Sequence, residues 1–189
     1  MTFYALVLFI HVVAVLALFA VMSFEILSLT RLRQASSLPE ARLWIEPVRG
    51  LPSVAMGSLL VILISGIYLA MRMSAFEVAW PKVTVMALLL IAPLGAITGR
   101  RMRALRSAVA GAGAITPELL KQLRAPFLKV SLGVRIAVAL GIVLLMVAKP
   151  GLSISVGIVI VSGVSGLLAA FVPSRGRVSL EVPAGDFRE

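Results

Sequence analysis

The chain is 189 residues long, with 60% hydrophobic and only 14% charged residues, where a soluble domain carries about 25% charged. Its formal net charge is +10, with a single histidine and no cysteine. A soluble core of this size cannot hide so much apolar surface, so the composition excludes a soluble enzyme and a disordered chain. Without cysteine there is no disulfide, thiolate nucleophile or cysteine-ligated metal.

The class that remains is an all-α polytopic membrane bundle. A hydrocarbon core about 30 Å thick is crossed by about 20 apolar helical residues. Five stretches meet that requirement: 3–29, 54–71, 83–98, 130–147 and 152–172. Their runs are continuous rather than alternating, which favours helices over barrel strands. Residues 1–173 are therefore expected to form the transmembrane bundle, and 174–189 a polar, loose tail.

The first span carries His11, about 12 Å along its axis at 1.5 Å per residue, and Glu25 on a similar face. It lacks the basic leader of a cleaved signal and is expected to stay as a helix. After it, Ser37-Leu38-Pro39-Glu40 has capping-box spacing with proline in the first turn. The short helix it starts is expected to act as an anchor that places Leu38, Leu43, Trp44 and Val48 near the interface, with Arg42 and Arg49 toward phosphates. The second span ends near Met71 and Met73, a thioether pair whose spacing points to opposite helix faces and so to packing rather than copper. The third is short and interrupted by Pro93, which should kink it. Thr116-Pro117-Glu118 begins a second interfacial helix. The fourth span takes in Arg135, and Pro150-Gly151 forms a tight hairpin into the fifth.

Small residues recur at four-residue spacing where helices approach closely in lipid. They are Gly133, Ala137 and Gly141 in the fourth span, and Ser153 with Gly157, then Ser162, Gly166 and Ala170, in the fifth. Gly95 and Gly99 do the same in the third. Two stripes on the fifth helix leave open internal packing or a homo-oligomer seam.

Basic residues set the orientation. Arg31, Arg33, Arg42 and Arg49 follow the first span; Arg100, Arg101, Arg103, Arg106, Lys121, Arg124 and Lys129 follow the third; Arg175, Arg177 and Arg188 follow the fifth. The other side has only Arg72, Lys82 and Lys149. The positive-inside rule puts the N-terminus outside and the C-terminus in the cytoplasm. The same residues suit anionic lipids of the cytoplasmic leaflet, whereas no interleaved aromatics support nucleic-acid binding.

Ionisable groups at membrane depth are the default functional candidates. Glu25 and Arg135 reach comparable depth and are expected to pair across the bundle or to snorkel separately. His11 has three readings: a hydrogen bond to a neighbouring helix, a haem ligand, or a quinone or proton-relay contact. Met86 is the best-placed second axial ligand for a haem and Met146 the next. No nucleotide loop, nucleophile elbow or zinc-protease helix occurs, and no metal site is expected.

Leu8-Phe9-Ile10-His11, Ser65-Gly66-Ile67-Tyr68, Ala79-Trp80, Gly99-Arg100-Arg101-Met102-Arg103 and Met146-Val147-Ala148-Lys149-Pro150 come in an order that resembles an uncharacterised bacterial family of predicted integral membrane proteins. The likeness covers about residues 4–150. That family looks like a distant relative of small haem- or copper-associated bundles with a histidine in their first helix. Many of those follow the histidine with tryptophan and paired glycines; here Ala17, Leu18 and Phe19 stand in that region. The resemblance implies a bacterial inner-membrane protein and leaves the activity open. Three functions follow in order: a non-enzymatic accessory or scaffold subunit, a redox-linked bundle holding haem or quinone at His11, and a small permease gated by Glu25 and Arg135.

Overall fold

The computed structural model describes residues 2–73, 77–114 and 116–171. The tail and its three arginines lie outside them. Seven helices make up the described fold: α1 (Phe3–Gln34), α2 (Leu38–Ile45), α3 (Leu51–Arg72), α4 (Ala79–Gly111), α5 (Pro117–Leu123), α6 (Pro126–Ala148) and α7 (Leu152–Phe171). No strand occurs among the described residues, and five helices, α1, α3, α4, α6 and α7, are long and apolar enough to cross a membrane. The protein is thus a multi-pass helical membrane bundle. Its outward-facing side chains are large and apolar, such as Phe9, Leu16, Leu90 and Val147, as expected where lipid rather than water is the solvent.

Within the bundle α1 packs on α3 and α6, while α4 packs on α3, α6 and α7. A central core forms from Leu18, Met22, Ile62, Ile91, Val138 and Ile142. The α6–α7 seam is built on missing side chains. A methyl group added to Gly166 would stand 2.5 Å from the Gly133 carbonyl oxygen and 2.8 Å from the Ala137 methyl. One of the two small-residue stripes on α7 is therefore used inside the chain. The other is not: Ser153 is exposed, and a methyl on Gly157 would meet nothing within 4 Å. The hairpin between the two helices turns at Lys149, whose φ of 47° and ψ of 49° end α6 in the left-handed conformation. A glycine usually occupies such a position. Ser155 then back-bonds to the carbonyls of Gly151 (2.9 Å) and Pro150 (3.2 Å) at the start of α7.

Two sequence expectations are corrected here. The helix of the third span outlasts its apolar run: α4 runs 33 residues, stays helical on both sides of Pro93, and carries Arg100–Val109 beyond the apolar zone. Proline removes one hydrogen bond without ending the helix. The two short helices are also more than surface anchors. The Ser37 and Thr116 hydroxyls cap them by accepting from the backbone N–H groups of Glu40 (3.4 Å) and Leu119 (3.2 Å). Between the ends of α1, α4 and α6 they bury Ala41, Ile45, Leu119 and Leu123, which join Leu32, Leu105 and Val109 in a second core. Arg42 does not reach outward to phosphates; its Nη2 donates to the carbonyls of Ala110 (3.4 Å) and Ala112 (3.2 Å) at the end of α4. Positive charge is favourable there because unpaired carbonyls collect at a helix C-terminus.

Candidate functional site

His11 is 7% exposed and faces α3, where its Nδ1 lies 2.8 Å from Ser65 Oγ. Ser65 Oγ in turn donates to the Val61 carbonyl one turn back. A serine has one proton; with that proton on Val61, Ser65 Oγ is an acceptor for an Nδ1–H of His11, the tautomer whose Nε2 is an acceptor. Gly66 makes the approach possible: a methyl there would stand 3.2 Å from His11 Cε1.

Beside this ring lies a cavity of about 180 Å³ at the arginine-poor end of the bundle. His11, Gly66, Trp80, Thr84, Met146 and Lys149 contribute to its lining, and most of the remaining wall is aliphatic. Thr84 is buried, and its Oγ1 has no hydrogen-bond partner. An unpaired buried hydroxyl costs about 1–3 kcal/mol, which a ligand oxygen or a water would recover. Four of the segments singled out in the sequence converge here, those of His11, Gly66, Trp80 and Met146 with Lys149. Thr84 was missed because only charged and imidazole groups were weighed as costly at depth. Its hydroxyl, one turn after Trp80 in an apolar run, was the available signal.

The axial pair expected for a haem is not brought together here. Met86, the expected second axial ligand, is 66% exposed on the outer face of α4 and does not line the cavity. The reason is helical phase: Met86 matches His11 in depth but lies two residues from Thr84, about 200° around the helix. Met146 is the methionine that does reach the cavity. No cluster of three or more metal-ligating side chains occurs among the described residues.

Toward the arginine-rich end, Arg135 Nη1 on α6 donates to Glu25 Oε2 on α1 at 3.1 Å. The structure thus brings these two sequence-predicted residues together, their side chains 5% and 11% exposed respectively. The guanidinium lies against the backbone of α4 at Gly95, where a methyl would stand 3.6 Å from Arg135 Nε. One turn nearer the α6 N-terminus, Ser131 and Thr98 share a buried hydrogen bond of 2.7 Å.

Comparison of the chain with protein families, curated proteins and solved structures found no match. The functional reading therefore rests on the cavity and the buried side chains around it.

Proposed function

We propose that the chain is a non-enzymatic accessory subunit of a bacterial inner membrane, N-terminus outside and C-terminus inside, that holds a quinone headgroup in the cavity beside His11. The observation that carries this reading is a buried imidazole and an unpartnered Thr84 hydroxyl lining one small, largely apolar cavity. A largely apolar pocket with a few convergent polar groups is the usual form of a small-molecule site. A quinone is a compact apolar ring with an oxygen at each end. Thr84 suits a ring carbonyl as donor, and Nε2 suits the hydroxyl of the reduced form as acceptor. Trp80 supplies an aromatic wall for the ring. Binding of the headgroup is all that is proposed.

Trp80 also provides the test. The chain has two tryptophans, Trp44 and Trp80, so Trp44→Phe leaves the cavity indole as the sole tryptophan reporter. Titration of that protein in detergent with a short-chain quinone should quench its fluorescence saturably. The quench should weaken about tenfold in affinity in Thr84→Val, since one lost hydrogen bond is worth roughly 1 kcal/mol and the orphaned quinone oxygen adds to it. Linear, non-saturating quenching that is identical in Thr84→Val would exclude a quinone site here.

A further inference from the structure

At the arginine-rich end α3 and α4 part to leave a groove of about 570 Å³. Along α4 the groove follows Ala92, Gly95, Ala96 and Gly99, small residues that keep that wall low. Along α3 it passes Met56, Gly57 and Leu60, all exposed, so the groove opens sideways onto the surface that lipid would cover. Arg49, Arg100 and Arg103 stand on its rim, and Arg135 with Glu25 forms part of its floor.

We infer that this groove binds one anionic glycerophospholipid, its phosphate held by Arg49, Arg100 and Arg103 and one acyl chain lying between α3 and α4. Charge and shape support this from separate directions. Four guanidinium groups face the groove against one carboxylate, and that carboxylate is already taken by Arg135 at 3.1 Å. The three rim arginines therefore present uncompensated charge, and neither the Arg49 nor the Arg100 guanidinium has a hydrogen-bond or ion-pair partner among the described residues. Arg103 is steadied by a bond from Nε to the Gly99 carbonyl (3.4 Å), which leaves its terminal nitrogens available. Guanidinium forks match phosphate oxygens in pairs, which ammonium groups do not.

A free phosphate would need only the rim. Below the arginines the walls are apolar, with Leu59, Leu60, Met56 and Ala92 among them, and such a slot gains nothing from a small anion. A partner helix is too wide, because a helix with side chains is about 10 Å across and α3 and α4 approach closely beside the groove, where a methyl on Gly99 would stand 3.4 Å from Pro52 Cβ. An extended hydrocarbon chain joined to a phosphodiester satisfies both parts.

The full chain, stripped of lipid in a neutral detergent, can be titrated with phosphatidylglycerol, phosphatidylcholine or glycerol 3-phosphate and followed by native mass spectrometry. Phosphatidylglycerol should bind saturably with one tight site, and the other two should bind at least tenfold more weakly. Gly57→Leu fills the groove without disturbing the helix, because a methyl there meets nothing within 4 Å; it should abolish the tight site. Arg49→Gln, Arg100→Gln and Arg103→Gln should each weaken it about fivefold, the factor expected for one arginine near an anionic headgroup. Arg124→Gln, an exposed arginine at the same end but off the groove, should change affinity less than twofold. Equal binding of phosphatidylcholine would overturn the charge argument. Equal binding of glycerol 3-phosphate, or an unchanged tight site in Gly57→Leu, would overturn the lipid assignment.

Discussion

Breaking the Glu25–Arg135 pair gives the sharpest test of the packing described above. The two side chains meet at 3.1 Å and are 5% and 11% exposed, Arg135 being the more buried. Removing one partner of a buried ion pair costs about 3–5 kcal/mol, because the survivor is left charged and unsolvated. An arginine alone at the centre of a membrane helix costs about 2.5–3.5 kcal/mol on insertion scales, so two separate rules give a similar figure. The two single variants should nevertheless differ. Arg135→Met leaves a carboxyl that can take up a proton and lose its charge, whereas Glu25→Leu leaves a guanidinium that cannot. Glu25→Leu should therefore lower the melting temperature in detergent by roughly 6–12 °C, about 3 kcal/mol at 2–4 °C per kcal/mol for a chain this size, and Arg135→Met by less. The double variant Glu25→Leu/Arg135→Met should recover most of the loss, since apolar replacements of a buried pair are often neutral or better. A coupling below about 0.5 kcal/mol, with the two losses simply adding, would mean that the charges stabilise the bundle independently.

Three further outcomes follow from particular contacts. Gly166→Ala should destabilise the α6–α7 seam by about 1–3 kcal/mol through overpacking, because its methyl would strike the Gly133 backbone, while Gly157→Ala on the same helix should be neutral or slightly stabilising; differential scanning fluorimetry of the two separates them. Arg42→Met should loosen the end of α4 by about 1 kcal/mol, seen as faster amide hydrogen exchange in residues 108–112 with the membrane segments unchanged. Gly57→Leu should leave quinone quenching of Trp80 within twofold of the parent, because the groove and the cavity share no lining residue; a larger change would reveal coupling between them.

The fold was largely readable from the chain because lipid imposes one rule everywhere: backbone groups must bond within their own helix. That rule turns an apolar run into a span without any knowledge of its neighbours, and all five runs became helices. It fails where the helix outlasts the apolar run. Arg100–Val109 continues α4 because Met102, Leu105 and Val109 repeat at helical spacing toward the second core, a signal that hydropathy alone does not register. The site was readable in part. His11, Glu25 and Arg135 stand out because charge and imidazole are scarce at that depth, and their scarcity limits whom they can meet. Rotation about a helix axis was harder to read. Met86 and Thr84 are one turn or less from the same depth, yet one faces out and the other lines the cavity.

The two recesses follow one another along α3 and α4, separated by a turn or less. On α3 the groove reaches Leu60 and the cavity begins at Ile62; on α4 the groove ends at Ala92 and the cavity at Leu88. Ile62, Leu88 and Ile91 fill that turn and are 4%, 9% and 3% exposed. A transport path would have to pass through this layer, where a solute would shed its water against aliphatic side chains with no polar group to replace it. The charged pair does not relieve this, since Glu25 and Arg135 satisfy one another on the arginine-rich side of the layer. An apolar layer of this kind would keep the two proposed ligands, quinone and lipid, in separate recesses, as the proposals above require.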